Sequence, residues 1–278
     1  MTLRTTGGRT ATLLRTAGAL ALATTLVAGC QTGGPQRSAR PAYADPQTTG
    51  SVTAAQPSLK ATADLAKRWK KRPSDAKVAL AYAAHLRALG SDGPALDVLR
   101  ETLRHTPDDP RLLAETGKLL ARSGEPGEAE RVLAKAISVG VRDWRVHSAH
   151  GAVLDQLGRH QEARGAYAAA LKIAPNTISV VNNLALSYAL SGDLDQAEAT
   201  LRQALEQPDA RTDPRVRQNL ALVLGLQGRF TEAEEVARKD LPPAQAEANM
   251  KYLRAMMSQR DTWQTLRAGS GGSAASDT

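Results

Sequence analysis

One stretch decides the fold, Leu120-Ala121-Arg122-Ser123-Gly124-Glu125-Pro126-Gly127-Glu128-Ala129, because its leucine, glycine and alanine return 34 residues later as Leu154, Gly158 and Ala163. The same interval separates four glycines, and an alanine follows each of them after five residues. The pairs are Gly90 and Ala95, Gly124 and Ala129, Gly158 and Ala163, and Gly192 and Ala197. A fifth pair, Gly228 and Ala233, follows after 36 residues, with the excess expected in the loop from Pro208 to Pro214.

Each repeat is predicted to form two amphipathic helices that join at the glycine. A glycine at the end of the first helix adopts the left-handed conformation at least cost, so the chain can reverse there. Small residues seven positions before the turn, such as Gly117 and Gly151, let the two helices approach closely. Larger side chains are then expected to fill the space between units: Leu99, Leu133, Tyr167 and Leu201.

A helix-turn-helix period of 34 residues with these signature positions resembles the tetratricopeptide repeat. The resemblance implies an all-α fold, a right-handed superhelix over residues 58–260. About five repeats are expected, with starts near Ala76, Pro110, Trp144, Ile178 and Pro214. A half repeat, 58–72, precedes them, and a capping helix from Ala244 to about Gln259 follows. The Gly/Ser-rich end of the chain, 261–278, is expected to be a disordered tail.

The N-terminus has the order of a secretory signal, with three arginines before an apolar run from Ala17 to Val27. That run is shorter than the ~20 residues that a membrane-spanning helix needs. The sequence Leu26-Val27-Ala28-Gly29-Cys30 resembles a bacterial lipobox and contains the only cysteine of the chain. We therefore predict a lipoprotein signal peptide at 1–29 and acylation of Cys30. The alternative is an ordinary signal peptide followed by an incidental free cysteine.

An acylated Cys30 would attach the mature protein to a membrane without a spanning helix. Gln31 follows it rather than the aspartate that marks retention at the inner membrane, so the resemblance favours the periplasmic face of the outer membrane. Residues 30–57, rich in Pro, Gly, Ser and Thr, are expected to be a disordered tether. The formal net charge of +8 does not indicate nucleic-acid binding in that compartment.

The C-terminal part is similar to a narrower group, the TadD family of repeat lipoproteins from the tight-adherence (Flp) pilus assembly system. The similarity rests on Val216-Arg217-Gln218-Asn219-Leu220-Ala221-Leu222-Val223-Leu224-Gly225-Leu226-Gln227-Gly228, on Asp240-Leu241-Pro242-Pro243 and on Tyr252-Leu253-Arg254. It implies an assembly factor that helps the outer-membrane secretin to assemble or to reach its membrane. The expected partner is the secretin or another Tad component. The alternative is a lipoprotein scaffold that organises cell-wall hydrolases or synthases.

Residues that could carry catalysis are sparse. The chain has no Gly-rich phosphate loop, no HExxH motif and no nucleophile elbow. His147 and His150 could share a helix face as a minimal metal pair, but no third ligand of suitable spacing accompanies them, which favours packing. We expect neither an enzyme, nor a cofactor or metal, nor a small-molecule substrate.

A repeat superhelix presents a concave groove lined by the first helix of each unit. The resemblance places the second, fifth, sixth and ninth positions of that helix in the groove. Four second positions are basic: Lys77, Arg111, Arg145 and Arg215. The fifth and sixth positions of the last two units carry amides: Asn182, Asn183, Gln218 and Asn219.

These positions are candidate partner contacts. A side-chain amide can donate and accept at once, which suits the backbone of an extended peptide. Asn183 and Asn219 are therefore the best contact candidates. Two alternatives stay open: the basic residues could form a solvated surface, and the amides could hydrogen-bond from helix to helix within the stack.

Overall fold

The computed structural model describes residues 58–270, with side chains for residues 58–258. This part of the chain forms thirteen helices and no strand. In order they are α1 (Leu59–Lys71), α2 (Ala76–Ala88), α3 (Asp92–His105), α4 (Pro110–Ser123), α5 (Pro126–Ser138), α6 (Trp144–Gln156), α7 (His160–Ile173), α8 (Ile178–Leu190), α9 (Leu194–Leu205), α10 (Pro208–Arg211), α11 (Pro214–Leu226), α12 (Phe230–Ala237) and α13 (Pro243–Ser270).

Ten of these helices form five antiparallel pairs that stack in chain order: α2 with α3, α4 with α5, α6 with α7, α8 with α9 and α11 with α12. We call the first helix of each pair the A helix and the second the B helix. The half repeat α1 packs on α2, and α13 packs on α11 and α12 at the other end. The predicted all-α tetratricopeptide superhelix is confirmed.

Local sequence sets where the A helices begin. An aspartate side chain caps most of them, because its carboxylate accepts a hydrogen bond from a backbone N–H of the first turn. Asp109 Oδ1, for example, accepts from the Leu112 N–H at 3.0 Å. The same cap occurs at Asp75, Asp143 and Asp213.

Positive φ angles mark the turns of every unit. The five glycines of the repeat pattern have φ between 74° and 84°, as predicted for the turn after each A helix. Two turns after B helices use the same conformation, at Gly140 and at Asn176, whose φ is 60°. Asparagine tolerates this left-handed region better than most residues with a side chain.

Close approach of paired helices occurs where a helix carries a small residue. A Cβ atom added to Gly117 would lie 2.6 Å from Leu133 Cγ, and one added to Gly151 would lie 2.7 Å from Tyr167 Cε1. Leu133 and Tyr167 are buried, as are Leu99 and Leu201. The predicted close approach of paired helices at small residues is confirmed, and Leu133 and Tyr167, which were expected between units, each pack against the glycine of their own unit.

Two boundaries differ from the sequence prediction. The extra residues before the fifth unit form the short helix α10, which buries Ala210, rather than an open loop. The last helix ends at Ser270 and not near Gln259, so residues 261–270 are helical where a disordered tail was expected. No proline or glycine interrupts the chain between Pro243 and Gly269, which explains the longer helix.

The predicted signal peptide, Cys30 and the tether lie outside the described residues, as do residues 271–278. Within residues 58–270, no helix combines the length and the hydropathy needed to cross a bilayer. α13 has 28 residues, but charged and polar side chains occur along its whole length.

Candidate partner-binding groove

The A helices of the first two units and the turn before the third A helix border an open cavity of about 550 Å³. Its apolar lining comes from α2, α3, α4 and the turn before α6: Leu80, Ala83, Ala84, Leu99, Pro110, Ala114, Gly140 and Val141. The charged residues of its lining are Arg87, Arg111, Glu115, Lys118 and Asp143. We call this cavity the N-terminal groove section. An apolar floor with a few charged groups at its edge is the usual composition of a binding site.

One carboxylate in the N-terminal groove section is shared between two cations. Glu115 lies 3.4 Å from Arg87 Nη1 and 2.5 Å from Lys118 Nζ. Arg87 Nε is buried and has no hydrogen-bond partner among the described residues. Arg111 is exposed at the edge and has no ion-pair partner within residues 58–258. The section therefore retains cationic groups whose hydrogen-bonding capacity is unused.

The other predicted basic positions differ from Arg111. Arg145 stacks on the ring of Trp144, with 4.6 Å from its guanidinium carbon to the ring centre. Arg215 forms an ion pair with its own helix cap, and its Nη2 donates to Asp213 Oδ2 at 2.7 Å. That hydrogen bond lowers the pKa of Asp213. Lys77 is exposed and, within residues 58–258, unpaired. The cavity therefore includes only Arg111 of the four basic positions.

The four amide positions also differ from one another in the hydrogen bonds that their side chains make. Asn219 Nδ2 donates to Asn182 Oδ1 at 2.8 Å, which joins the A helices of the fourth and fifth units. The sequence leaves two roles open for these amides, contact with a partner or a hydrogen bond from helix to helix. The structure has the helix-to-helix bond at this pair. Asn183 is half-buried and makes no side-chain hydrogen bond within residues 58–258, and Gln218 is exposed. A contact role at Asn183 and Gln218 stays a prediction.

Sequence reasoning missed four of the five charged residues of the N-terminal groove section, among them Asp143, which directly precedes the third unit. Glu115 and Lys118 occupy the sixth and ninth positions of the second unit, and Arg87 occupies the twelfth position of the first. The register that assigned Arg111 to the groove also covers Glu115 and Lys118. It could have found them, whereas Arg87 lies one turn beyond the positions that were considered.

The two histidines considered for metal binding are packed between units. Burial lowers the pKa of both His147 and His150. His150 Nε2 is 3.8 Å from Glu130 Oε1, and Arg159 Nη1 lies 3.1 Å from the same oxygen. Within the described residues, no group of three or more His, Cys, Asp or Glu side chains could hold a metal ion.

A second polar cluster surrounds Asp155, near the C-terminal end of α6. Its carboxylate accepts hydrogen bonds from Tyr167 Oη at 3.0 Å and Ser187 Oγ at 2.7 Å, and lies 2.9 Å from His160 Nδ1. The Ser187 hydroxyl faces a carboxylate and not an imidazole, so this is not the arrangement of an activated nucleophile. The cluster links the third unit to the fourth.

Family models for the tetratricopeptide repeat match residues 110–135, 145–210 and 182–249. Together with the stacked helix pairs, these matches define the described chain as a tetratricopeptide-repeat superhelix. Proteins of this class mediate protein–protein interactions.

Two curated proteins share part of this region. The chain is 36% identical over 105 residues to a TPR repeat-containing protein of Dictyostelium discoideum, covering 35% of this chain and 40% of that protein. It is 32% identical over 111 residues to the uncharacterized protein y4yS of Sinorhizobium fredii, covering 40% and 60%. The chain thus spans less than two thirds of either relative.

Solved structures share the fold at low identity. The type IV pilus biogenesis factor PilW aligns with a TM-score of 0.58 and 20% identity, over 71% of this chain and 90% of PilW. YrrB, described as a TPR protein with an unusual peptide-binding site, aligns with a TM-score of 0.54 and 16% identity, over 67% and 97%. MamA aligns with a TM-score of 0.52 and 20% identity, over 60% and 96%. At these identities the likeness supports the fold alone.

Proposed function

We propose that this protein is a non-enzymatic scaffold that holds an extended segment of a protein partner in its concave groove. The observation that carries the proposal is the N-terminal groove section. Its apolar floor can bury one or two side chains of the partner. Arg87, Arg111 and Lys118 provide donors at its edge, and Glu115 is the carboxylate that Arg87 and Lys118 share.

The charge of this section favours an acidic partner segment. Glu115 is already hydrogen-bonded by two cations, and Asp143 Oδ1 accepts the Arg145 N–H as a helix cap. A carboxylate of the partner can therefore approach Arg111, which is exposed and unpaired within residues 58–258, with little competition. Electrostatic complementarity of this kind raises the association rate and favours one partner over others.

The finer proposal is a lipid-anchored assembly factor at the periplasmic face of the outer membrane, which assists the secretin of a Flp pilus system. Its support is the resemblance of residues 216–228 and 240–243 to the TadD family. PilW is a pilus biogenesis factor with the same fold, but its low identity adds no evidence on function. A scaffold for cell-wall hydrolases or synthases is the competing proposal.

In the structure, the residues that carry this resemblance mainly lie on α11, and the others lie in the turn before α13 and on α13, which packs on α11. Val216, Leu220, Val223 and Leu224 are buried, and a Cβ on Gly225 would lie 2.3 Å from Leu253 Cδ2. The resemblance thus concerns how the superhelix ends, and the partner contacts must be tested separately.

A deletion strain tests the pilus proposal. Cells that lack the protein should contain less secretin multimer in the outer membrane and few surface pili, and expression of the wild-type chain should restore both. Normal piliation in the deletion strain would contradict the pilus role.

The anchor is tested by a separate variant. Cys30→Ser should make the protein extractable from membranes by high salt without loss of helical content, because it removes the sulfur that would carry the lipid. Binding of the Cys30→Ser variant to outer membranes that persists in high salt would contradict the anchor.

A further inference from the structure

The net positive charge of the folded part is concentrated at its N-terminal end. Residues 58–77 contain seven Lys or Arg and two Asp, whereas residues 78–278 contain 24 Lys or Arg and 25 Asp or Glu. Beyond the first twenty residues, the repeats are therefore nearly neutral. Charge asymmetry on this scale indicates an interaction surface for an anionic partner.

Five of these cations form what we call the basic end of α1: Lys67, Arg68, Lys70, Lys71 and Arg72. Trp69, in their middle, points into the protein. Its Nε1 donates to Thr102 Oγ1 at 3.0 Å, and its ring centre lies 6.1 Å from that of Tyr82. With each residue rotated by about 100° around the helix, an inward-pointing Trp69 directs its charged neighbours to the sides and the outside. All five are exposed.

The basic end of α1 has no anionic partner within residues 58–258. Several cations elsewhere in the described residues are paired instead: Arg100 pairs with both Glu125 and Glu128, and Arg229 pairs with both Glu198 and Glu232. Cations in the last turn complement the helix dipole, but that effect is confined to the last turn and does not require five of them.

We infer that the basic end of α1 docks on an anionic phospholipid surface. A lipid surface fits better than an acidic protein, because the exposed large apolar side chain of α1, Leu59, lies at the opposite end of the helix, at least two turns from these cations. Protein interfaces usually bury such an apolar anchor, whereas basic residues alone are sufficient for attraction to anionic lipid headgroups.

The position of α1 along the chain agrees with this inference. A flexible chain as long as residues 30–57 would have an end-to-end distance on the order of 30 Å, and α1 adds about 20 Å. The basic end of α1 is therefore within reach of the bilayer that an acylated Cys30 would enter. Lipid chains combined with a basic patch are a common two-signal membrane anchor. The inference depends neither on the groove nor on the pilus role.

Vesicle binding tests the inference without the acyl chains. The mature chain, residues 30–278 with Cys30→Ser, is mixed with vesicles of phosphatidylcholine alone, or of phosphatidylcholine with an equal amount of phosphatidylglycerol, at low and high salt. The test variant carries Lys67→Gln, Arg68→Gln, Lys70→Gln and Lys71→Gln. The matched control carries Arg131→Gln, Arg142→Gln, Lys172→Gln and Lys239→Gln, which removes four exposed cations elsewhere. Circular dichroism verifies that both variants remain helical.

We expect salt-sensitive binding to the anionic vesicles only. The test variant should bind them about tenfold more weakly, and the control variant should bind like the parent. Equal binding to both kinds of vesicle, or equal loss in both variants, would overturn the inference. Capture of polyglutamate by the basic end of α1 without affinity for the anionic vesicles would also overturn it, in favour of an acidic protein partner.

Discussion

Arg217 on α11 forms a two-point ion pair with Asp240, three residues after the end of α12. Its Nε donates to Asp240 Oδ2 at 2.7 Å, and its Nη2 donates to Asp240 Oδ1. Both side chains are largely buried, with 16% and 11% exposed. The hydrogen bonds to Asp240 raise the pKa of Arg217. The pair fixes the chain between α12 and α13, which is where the cap begins.

The ion pair leads to a first prediction. Asp240→Ala should destabilise the protein by about 1.5 to 3 kcal/mol, because it leaves a largely buried guanidinium without its carboxylate. Adding Arg217→Met should recover at least half of the loss, since apolar replacement of both partners removes the buried charge. Urea unfolding measures both effects. An Asp240→Ala midpoint equal to that of the wild type would show that the pair does not stabilise the cap.

Two helical glycines provide a second prediction with an internal control. Gly151→Ala should destabilise by about 1 to 3 kcal/mol, because its Cβ would collide with the buried Tyr167 ring. Gly165→Ala, on exposed α7 surface with no atom near the new Cβ, should stabilise by about 0.5 to 1 kcal/mol. Thermal unfolding of the two variants should shift in opposite directions. The same sign for both would contradict the close packing of α6 on α7.

A third prediction concerns stability below neutral pH. Burial lowers the pKa of His150 from its ordinary 6.5, so the unfolded chain binds a proton there that the folded chain does not. The free energy of unfolding should therefore fall as the pH drops below about 6.5. The nearby Glu130 limits the effect and Arg159 increases it.

The histidine effect can be separated from that of the carboxylates. Ion-paired carboxylates such as Glu162 have a pKa lowered from 4.5, so their contribution to stability is lost only at more acidic pH. Urea midpoints between about pH 7.5 and pH 5.5 should fall less in His150→Gln than in the wild type. An unchanged slope in His150→Gln would mean that this imidazole does not cause the decline.

A fourth prediction separates the groove candidates. Arg111→Glu should slow association with the partner more than Arg145→Glu, because Arg111 lines the cavity while Arg145 is stacked on Trp144. Asn183→Ala should weaken binding with little change in stability, whereas Asn219→Ala should also lower stability because it loses the bond to Asn182. Binding kinetics at two salt concentrations, together with melting temperatures, provide the comparison. If Arg145→Glu is the more damaging variant, the cavity is not the main contact.

The sequence was sufficient for the repeat register, because a fixed period places glycines such as Gly124 and Gly158 at equivalent turns of every unit. It was not sufficient for features that occur once. Asp240 stands where three earlier units carry an alanine, Ala136, Ala170 and Ala204. Its pairing with Arg217, however, depends on α12 ending early, at Ala237. No repeat pattern encodes that early end.

The sequence predicted which face of the A helices forms the candidate site, but not which side chains of that face contact each other. The register assigned Asn182 and Asn219 to the groove, but whether two amides meet each other or a partner depends on rotamers and on the rotation between units. These are tertiary properties. The same limit applies to Arg215. Its side chain donates to Asp213, the residue that caps its own helix, and the groove register does not predict a contact of this kind.

Site-specific photo-cross-linking in intact cells tests the central claim most directly. A photoreactive residue is introduced at Ala84 or Arg111 in the N-terminal groove section, and at the exposed Arg131 or Lys172 on B helices as controls. The groove-binding account predicts one specific adduct from the two groove positions, identified by mass spectrometry, and none from the control positions. Adducts from positions 131 and 172 with none from positions 84 and 111 would contradict binding of the partner in the groove.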